Sequence, residues 1–277
     1  MVGKLYLVAT PIGNLEDITI RALNVLKNVD LIAAEDTRHT LGLLNHFEIS
    51  KPLISYYKEI EKGKSEILIK KLLEGKDIAI VSDAGTPGIS DPGEEIVKAA
   101  IKNNIEIIPI PGACAFVNAL IASGMNTREF AFIGFLSANN KERRDKLAEL
   151  MYETRTLIFY EAPHKLKAML ESVLEILGDR NIVLARELTK LHEEFLRGKV
   201  STLLEQIVDK KGEFVVIIEG NDKSKQQINI QNLNEQSLEK HYDYYENQGL
   251  DKKEIIKRIA KDRSTSKNEI YQYFLNK

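Results

Sequence analysis

The chain has 277 residues, 43% of them apolar, and a net charge of −2 at pH 7. That is enough chain for two domains with real cores, and the near-zero charge excludes a uniformly basic nucleic-acid coat. No uninterrupted apolar run of about 18 residues marks a transmembrane helix, and no basic segment leading into an apolar one marks a signal peptide.

Through the first hundred residues, short apolar β-branched runs alternate with helical stretches. The pattern predicts strands at 4–10, 30–34, 53–57, 77–82 and 105–110, with helices near 19–28, 38–46, 62–74 and 94–103. Such alternation implies a mostly parallel α/β sheet. Pro109-Ile110-Pro111-Gly112 is a stiff break before a helix near 113–123, and the first domain boundary is placed there. A second series puts strands at 130–135, 155–160, 181–186, 194–199 and 213–219. Its helices fall near 140–151, 164–177 and 201–210, with Gly178 and Ser201 as ordinary stop and start residues. The fold class is therefore α/β with two domains, 1–111 and 112–222.

Residues 223–236 are rich in Asn, Gln, Lys and Ser and read as a flexible linker to a small helical module, 237–277. Its first helix covers about 237–248. The second starts at Asp251 with Glu254 three residues on, and the third at Ser266 with Glu269, both as capping boxes. Gly249 to Lys277 hold eight Lys/Arg against four acids, a net of +4. A basic module of this kind suits contact with RNA or DNA, and it suits a solvated cap equally.

The stretch 78–93 runs from a buried strand into a loop of small residues, glycines and prolines. It is neither G-x-G-x-x-G nor a P-loop. In open α/β sheets ligands sit outside the carboxyl ends of strands, where this loop falls. Thr10-Pro11-Ile12-Gly13-Asn14, Glu35-Asp36-Thr37-Arg38, Pro111-Gly112-Ala113, Glu161-Ala162-Pro163-His164 and Arg186-Glu187-Leu188-Thr189-Lys190 also follow predicted strands. Asp91-Pro92-Gly93-Glu94 reads as a helix start, with Asp91 as the cap. Glu35 and Glu161, at strand ends beside small residues, are the better candidates for ligand contact. Arg38, Arg143, Arg144 and Arg197 could neutralise phosphates. His39 and His46 read as surface residues, and His164 as a helix-start residue. Cys114 cannot form an internal disulfide, which fits a reducing cytoplasm; among Pro111, Gly112, Ala113 and Ala115 it reads as packing rather than a nucleophile. No ligand set for zinc is present.

Taken together, the segments 8–19, 35–38, 82–93, 110–113, 132–136, 160–165 and 186–190 closely resemble the tetrapyrrole methylase superfamily, within it the ribosomal RNA small-subunit methyltransferase I branch. The match covers about residues 3–220, and the helical tail is similar to that branch's extra C-terminal module. One departure is Ser137, where a proline is usual. The resemblance implies a class III methyltransferase fold and a cytoplasmic homodimer with the donor site in the cleft between two αβ domains. It also implies 2′-O-methylation of a decoding-region cytidine in 16S rRNA, free or in the assembled subunit, with S-adenosylmethionine as donor and no metal. Donor contacts carried over by motif are Asp83, Ala84, Gly85, Pro87, Ser90, Gly112, Ala113, Ala162 and Pro163. Acceptor-orienting candidates are Glu161, Glu35, Asp36 and Lys190. Asn14 and Arg38 would face the RNA, and the basic tail would add phosphate contacts; Arg143, Arg144 and Arg197 stay RNA-contact candidates on their charge alone. The rivals are a tetrapyrrole C-methyltransferase on the same scaffold and a non-catalytic ribosome-binding protein.

Overall fold

In the computed structural model, which describes residues 1–207, 212–222, 232–247 and 250–275, the chain forms two compact units. One is Met1–Ser123 with Ala185–Phe195, the other Gly124–Leu184 with Leu196–Lys277. The first unit holds β1 (Leu5–Val8), β2 (Leu31–Ala34), β3 (Leu53–Ser55), β4 (Ile78–Val81) and β5 (Ile107–Ile110), in the order β3-β2-β4-β1-β5. Every pairing in this sheet is parallel. Its helices are α1 (Ile20–Asn28), α2 (Thr37–His46), α3 (Glu61–Leu73), α4 (Glu94–Lys102) and α5 (Ala115–Ser123).

Side chains alternate across this sheet with period two. Val8, Ile32, Ala34, Ala79 and Val81 pack with Ala22, Leu26 and Leu44 of α1 and α2. Leu5, Ala33, Ile78 and Ile80 pack on the other face, with Leu68, Leu72, Ile96 and Ala100 of α3 and α4. Each fully buried Leu or Ile stabilises the fold by about 1.5–3 kcal/mol. The two-sided arrangement follows from the strand order. The connection leaving β1 travels toward β2, and the one leaving β4 travels back toward β5, so right-handed crossovers put their helices on opposite faces. Between β1 and β4 the winding reverses, and such a switch point opens a crevice at the strand ends.

The second unit carries β6 (Phe130–Phe135), β7 (Thr156–Glu161), β8 (Asn181–Arg186), β9 (Glu194–Lys199) and β10 (Phe214–Ile218), in the order β6-β7-β10-β8-β9. This sheet is mixed, with β6 parallel and β10 antiparallel to β7. Helices α6 (Asn140–Glu149), α7 (Pro163–Ile176) and α8 (Val200–Gln206) cover one face through Leu147, Leu170, Val173 and Leu203. The tail forms α9 (Leu238–Glu246), α10 (Lys252–Asp262) and α11 (Lys267–Leu275) around a core of Tyr245, Ile255, Ile256, Ile259 and Ile270, against which Tyr152 packs. The Arg258 guanidinium lies 4.8 Å from the Tyr152 ring centroid. Of the expected linker, residues 223–231 lie outside the described residues. Leu233 is buried, and Asn234 donates to the Asp262 carbonyl at 2.7 Å. Among the described residues no helix is long and apolar enough to cross a membrane.

Candidate active site

The loops leaving β1 and β4 meet over the switch point. Thr10 N–H donates to Gly85 O at 2.8 Å, and Gly85 N–H returns to Thr10 O at 3.1 Å. The Thr10 hydroxyl donates to Ser82 O at 3.2 Å. Gly85 and Gly88 both have φ +82°, where a Cβ is strained, and Ser90 takes φ +68° despite its side chain. From the neighbouring strand end, Ala113 O accepts the Thr86 hydroxyl at 3.1 Å. A Cβ on Gly112 would stand 2.8 Å from Ala9 Cβ. Pro87 is buried, Asp83 and Ala113 are half-buried, and Ala84, Gly88, Ser90 and Gly112 are exposed. The result is a set of tight, small-residue turns whose backbone groups meet at the strand ends.

Carboxyl groups join the same loops. Asp36 N–H donates to Asp83 Oδ1 at 2.9 Å, and Asp83 N–H to Glu35 Oε2 at 3.4 Å. Burial pushes the Glu35 carboxyl upward, and the Asp83 charge adds to that. Asp36 differs: its carboxylate caps α2 through Arg38 N–H at 2.8 Å and pairs with the Arg38 guanidinium at 2.6 Å, which holds it well below the usual range. The expectation that Asp91 caps α4 is corrected. The cap position is Gly93, without a side-chain bond, and the open N–H groups of Gly93 and Glu95 donate instead to Glu61 at 2.9 and 3.1 Å. Asp91 is left half-buried, pushed up to about 7 by burial first and then by the nearby Glu35 and Asp83 charges.

A third loop, from the end of β8, completes the group in the first unit. Lys190 pairs with Glu187 at 3.1 Å, and a Cβ on Gly13 would lie 2.5 Å from Lys190 Cγ. Glu187 and Thr189 sit at φ +50° and +67°. Thr189 Oγ1 is buried without a hydrogen-bond partner among the described residues. Asn14 caps a short 3₁₀ turn through Glu16 N–H at 3.0 Å. Burial raises the Cys114 thiol, away from nucleophilic use.

The second unit carries the remaining candidates. Glu161, at the end of β7, is 4% exposed and accepts Ala162 N–H at 2.9 Å; burial raises its carboxyl. Ala162 holds the α7 cap position without a side-chain bond, and Pro163 opens the helix, as a missing N–H allows. Arg143 bonds Ser172 at 3.1 Å and Asn140 at 2.8 Å, and Arg144 forms a two-pronged pair with Glu175 at 2.5 and 2.6 Å. Both therefore fasten α6 to α7 or to itself. Arg197 is exposed on β9.

The first-unit candidates Asp83, Ala84, Gly85, Pro87, Ser90, Gly112, Ala113, Glu35 and Asp36 thus gather at neighbouring strand ends. Lys190 lies over Gly13. Glu161, Ala162, Pro163, Arg143, Arg144 and Arg197 belong to the second unit. Sequence reasoning missed Asp91, Thr189 and the capping Glu61. A signal existed for Asp91, since a glycine two residues on can delay a helix start, but none pointed to the remote Glu61. No cluster of three or more metal-ligating side chains occurs among the described residues.

A sequence model of the Tetrapyrrole (Corrin/Porphyrin) Methylases matches residues 4–204. A Halalkalibacterium halodurans protein named ribosomal RNA small subunit methyltransferase I is 50% identical over 276 residues, covering 98% of this chain and 94% of its own. Its Bacillus subtilis namesake is 46% identical over 277 residues, with the same coverages of 98% and 94%. Among solved structures, uroporphyrin-III-C-methyltransferase from Thermus thermophilus overlays with a TM-score of 0.58 at 22% identity, over 78% of this chain and 94% of that one. A second Thermus thermophilus structure of that enzyme, complexed with S-adenyl homocysteine, gives 0.56 at 17% identity over 78% and 97%. These two likenesses are of fold. The chain accordingly belongs to the tetrapyrrole methylase family and, inside it, to the ribosomal RNA small subunit methyltransferase I group of methyltransferases.

Proposed function

We propose that this protein methylates the ribose 2′-hydroxyl of a decoding-region cytidine in small-subunit ribosomal RNA, using S-adenosylmethionine, as a cytoplasmic homodimer. One observation carries the reading: 46–50% identity, across nearly the whole chain, to relatives named for that RNA.

The residues present fit the donor. Gly112 lets its turn pack closely on Ala9, where a Cβ would stand 2.8 Å from the Ala9 Cβ, and the Gly85 and Gly88 turns present backbone groups at the strand ends, with open space beside Gly88. Bound there, S-adenosylmethionine would supply an electrophilic methyl on a sulfonium whose charge disperses during transfer, so turns that position it through backbone groups suit it. Asp83, Ala84, Gly85, Pro87, Ser90, Gly112 and Ala113 would hold it, with Ala162 and Pro163 from the second unit. Positioning of this kind can supply much of the rate.

A ribose hydroxyl is a poor nucleophile, so a proton acceptor assists it. Glu161 takes that role in this proposal because it stands at a strand end and burial raises its basicity. Glu35 and Lys190 would orient the ribose, whereas Asp36 is a weak base held by Arg38. The Arg38 side chain is 89% exposed despite its pairing and would meet RNA phosphate beside Asn14; exposed pairs are weak enough to exchange partners. The test is to map 2′-O-methyls on small-subunit rRNA treated with the protein and the donor. A new methyl on a decoding-region cytidine is expected. Methyl transfer to a porphyrinogen instead, or no heat on donor titration, would overturn the proposal. Glu161→Gln should bind donor and RNA yet turn over about 10²-fold more slowly; full turnover would remove Glu161 from its role.

A further inference from the structure

The last two helices of the tail enclose a groove of about 620 Å³ lined by Lys252, Lys253, Ile256, Lys267, Asn268 and Tyr271. That volume is typical of small-ligand clefts, ~300–1,000 Å³. Its floor is apolar, with Ile256 part of the tail core and Tyr271 still 45% exposed. Three lysines stand around it. None forms an ion pair among the described residues, whereas Lys257 and Arg258 on the same helix pair with Glu254. The groove lies beyond residues 4–204, outside the shared methylase body.

Helix stability does not explain these lysines. Lys252 and Lys253 open α10 and Lys267 opens α11, where the positive end of the helix dipole disfavours cations. The nearby capping groups are already engaged. Asp251 accepts Glu254 N–H at 2.8 Å, Ser266 accepts Glu269 N–H at 3.2 Å, and the Glu269 carboxylate takes the Thr265 hydroxyl. Local choices that work against stability without a packing gain point to function. Unpaired ammonium groups around an apolar slot with an open tyrosine ring complement a polyanion that carries flat rings, which is single-stranded nucleic acid. A duplex hides its base faces, and an acidic peptide offers the ring nothing to stack on.

We infer that this groove holds a single-stranded segment of RNA, its phosphates on Lys252, Lys253 and Lys267 and one base stacked on Tyr271. The inference rests on the reading of the chain as an RNA methyltransferase and adds where, and in what form, RNA is gripped. The test uses full-length protein and fluorescence anisotropy at several salt concentrations. Its probes are an unstructured RNA of about ten nucleotides, the same sequence as a duplex, and a polyglutamate peptide. The single strand should bind tightest. Tyr271→Ala should weaken it about fivefold or more at an unchanged salt slope, with Tyr271→Phe restoring affinity. Changing the three lysines to glutamine should lower the slope of log K against log salt by about 2. Unaltered binding by both variants, or displacement of the RNA by the peptide, overturns the inference. Methyl transfer to small ribosomal subunits by the same preparations separates the two readings. Methylation by a wild type whose groove variants grip RNA normally sinks the groove alone, whereas a wild type that binds the single strand through the groove but methylates no RNA sinks only the proposed activity.

Discussion

The carboxylate of Glu61 stands 2.9 Å from the backbone nitrogen of Gly93, and the same oxygen accepts Glu95 N–H at 3.1 Å and the Tyr56 hydroxyl at 3.0 Å. An acid in the first turn of α3 therefore caps α4 and fixes the far end of the loop that leaves β4. Glu61 is 8% exposed, and its removal leaves buried donors unpaired. Glu61→Ala should cost about 3 kcal/mol and weaken donor binding, read as a fall in Tm and in calorimetric affinity. An unchanged Tm would show that the cap is not needed.

Gly112→Ala forces a methyl to within 2.8 Å of Ala9 Cβ. Strand and loop must part, at about 1–3 kcal/mol for overpacking. Because Ala113 anchors Thr86 in the same turn, donor affinity should fall at least tenfold while the protein stays folded. Titration calorimetry beside a thermal melt checks both halves, and normal donor affinity would exclude this turn from the site.

Asp91 predicts a pH signature. Its folded-state value is pushed up to about 7, above an unfolded value of about 3.9. The folded state then binds the extra proton, so this contribution to stability is whole below about pH 4 and is lost as pH rises to 7. Asp91→Asn should be more stable than the parent at pH 8, by on the order of 1–3 kcal/mol, with the gain vanishing near pH 4. Urea unfolding at the two pH values measures it; a pH-independent difference would mean that the carboxyl titrates normally.

The tail should be separable from donor binding. Ile259 is fully buried in the tail core, and Ile259→Ala should cost about 2–4 kcal/mol there. Limited proteolysis should then cut within 237–275 first, with RNA affinity lowered and donor affinity kept. Loss of donor binding would tie the tail to the methyl-transfer site.

Local chemistry is what the sequence by itself determined. Runs such as Ile78-Ala79-Ile80-Val81 can bury both faces only as inner strands, so strand positions and the alternating α/β pattern were readable. The tail helices announced themselves through Asp251 and Ser266, each of which bonds the N–H three residues on. The small-residue loops stood at strand ends because the chain must turn there. Partnership across distance is what the tertiary structure decided. Nothing in Leu5–Val8 specifies that β4 and β5 flank it, and only that order makes a switch point of Thr10 and Gly85. Asp91 looked like a cap because Asp-Pro-Gly-Glu is a local pattern, yet a carboxylate 32 residues away in sequence satisfied the helix end. A backbone donor is satisfied by whichever acceptor the packed fold brings within reach, and that choice is made in three dimensions.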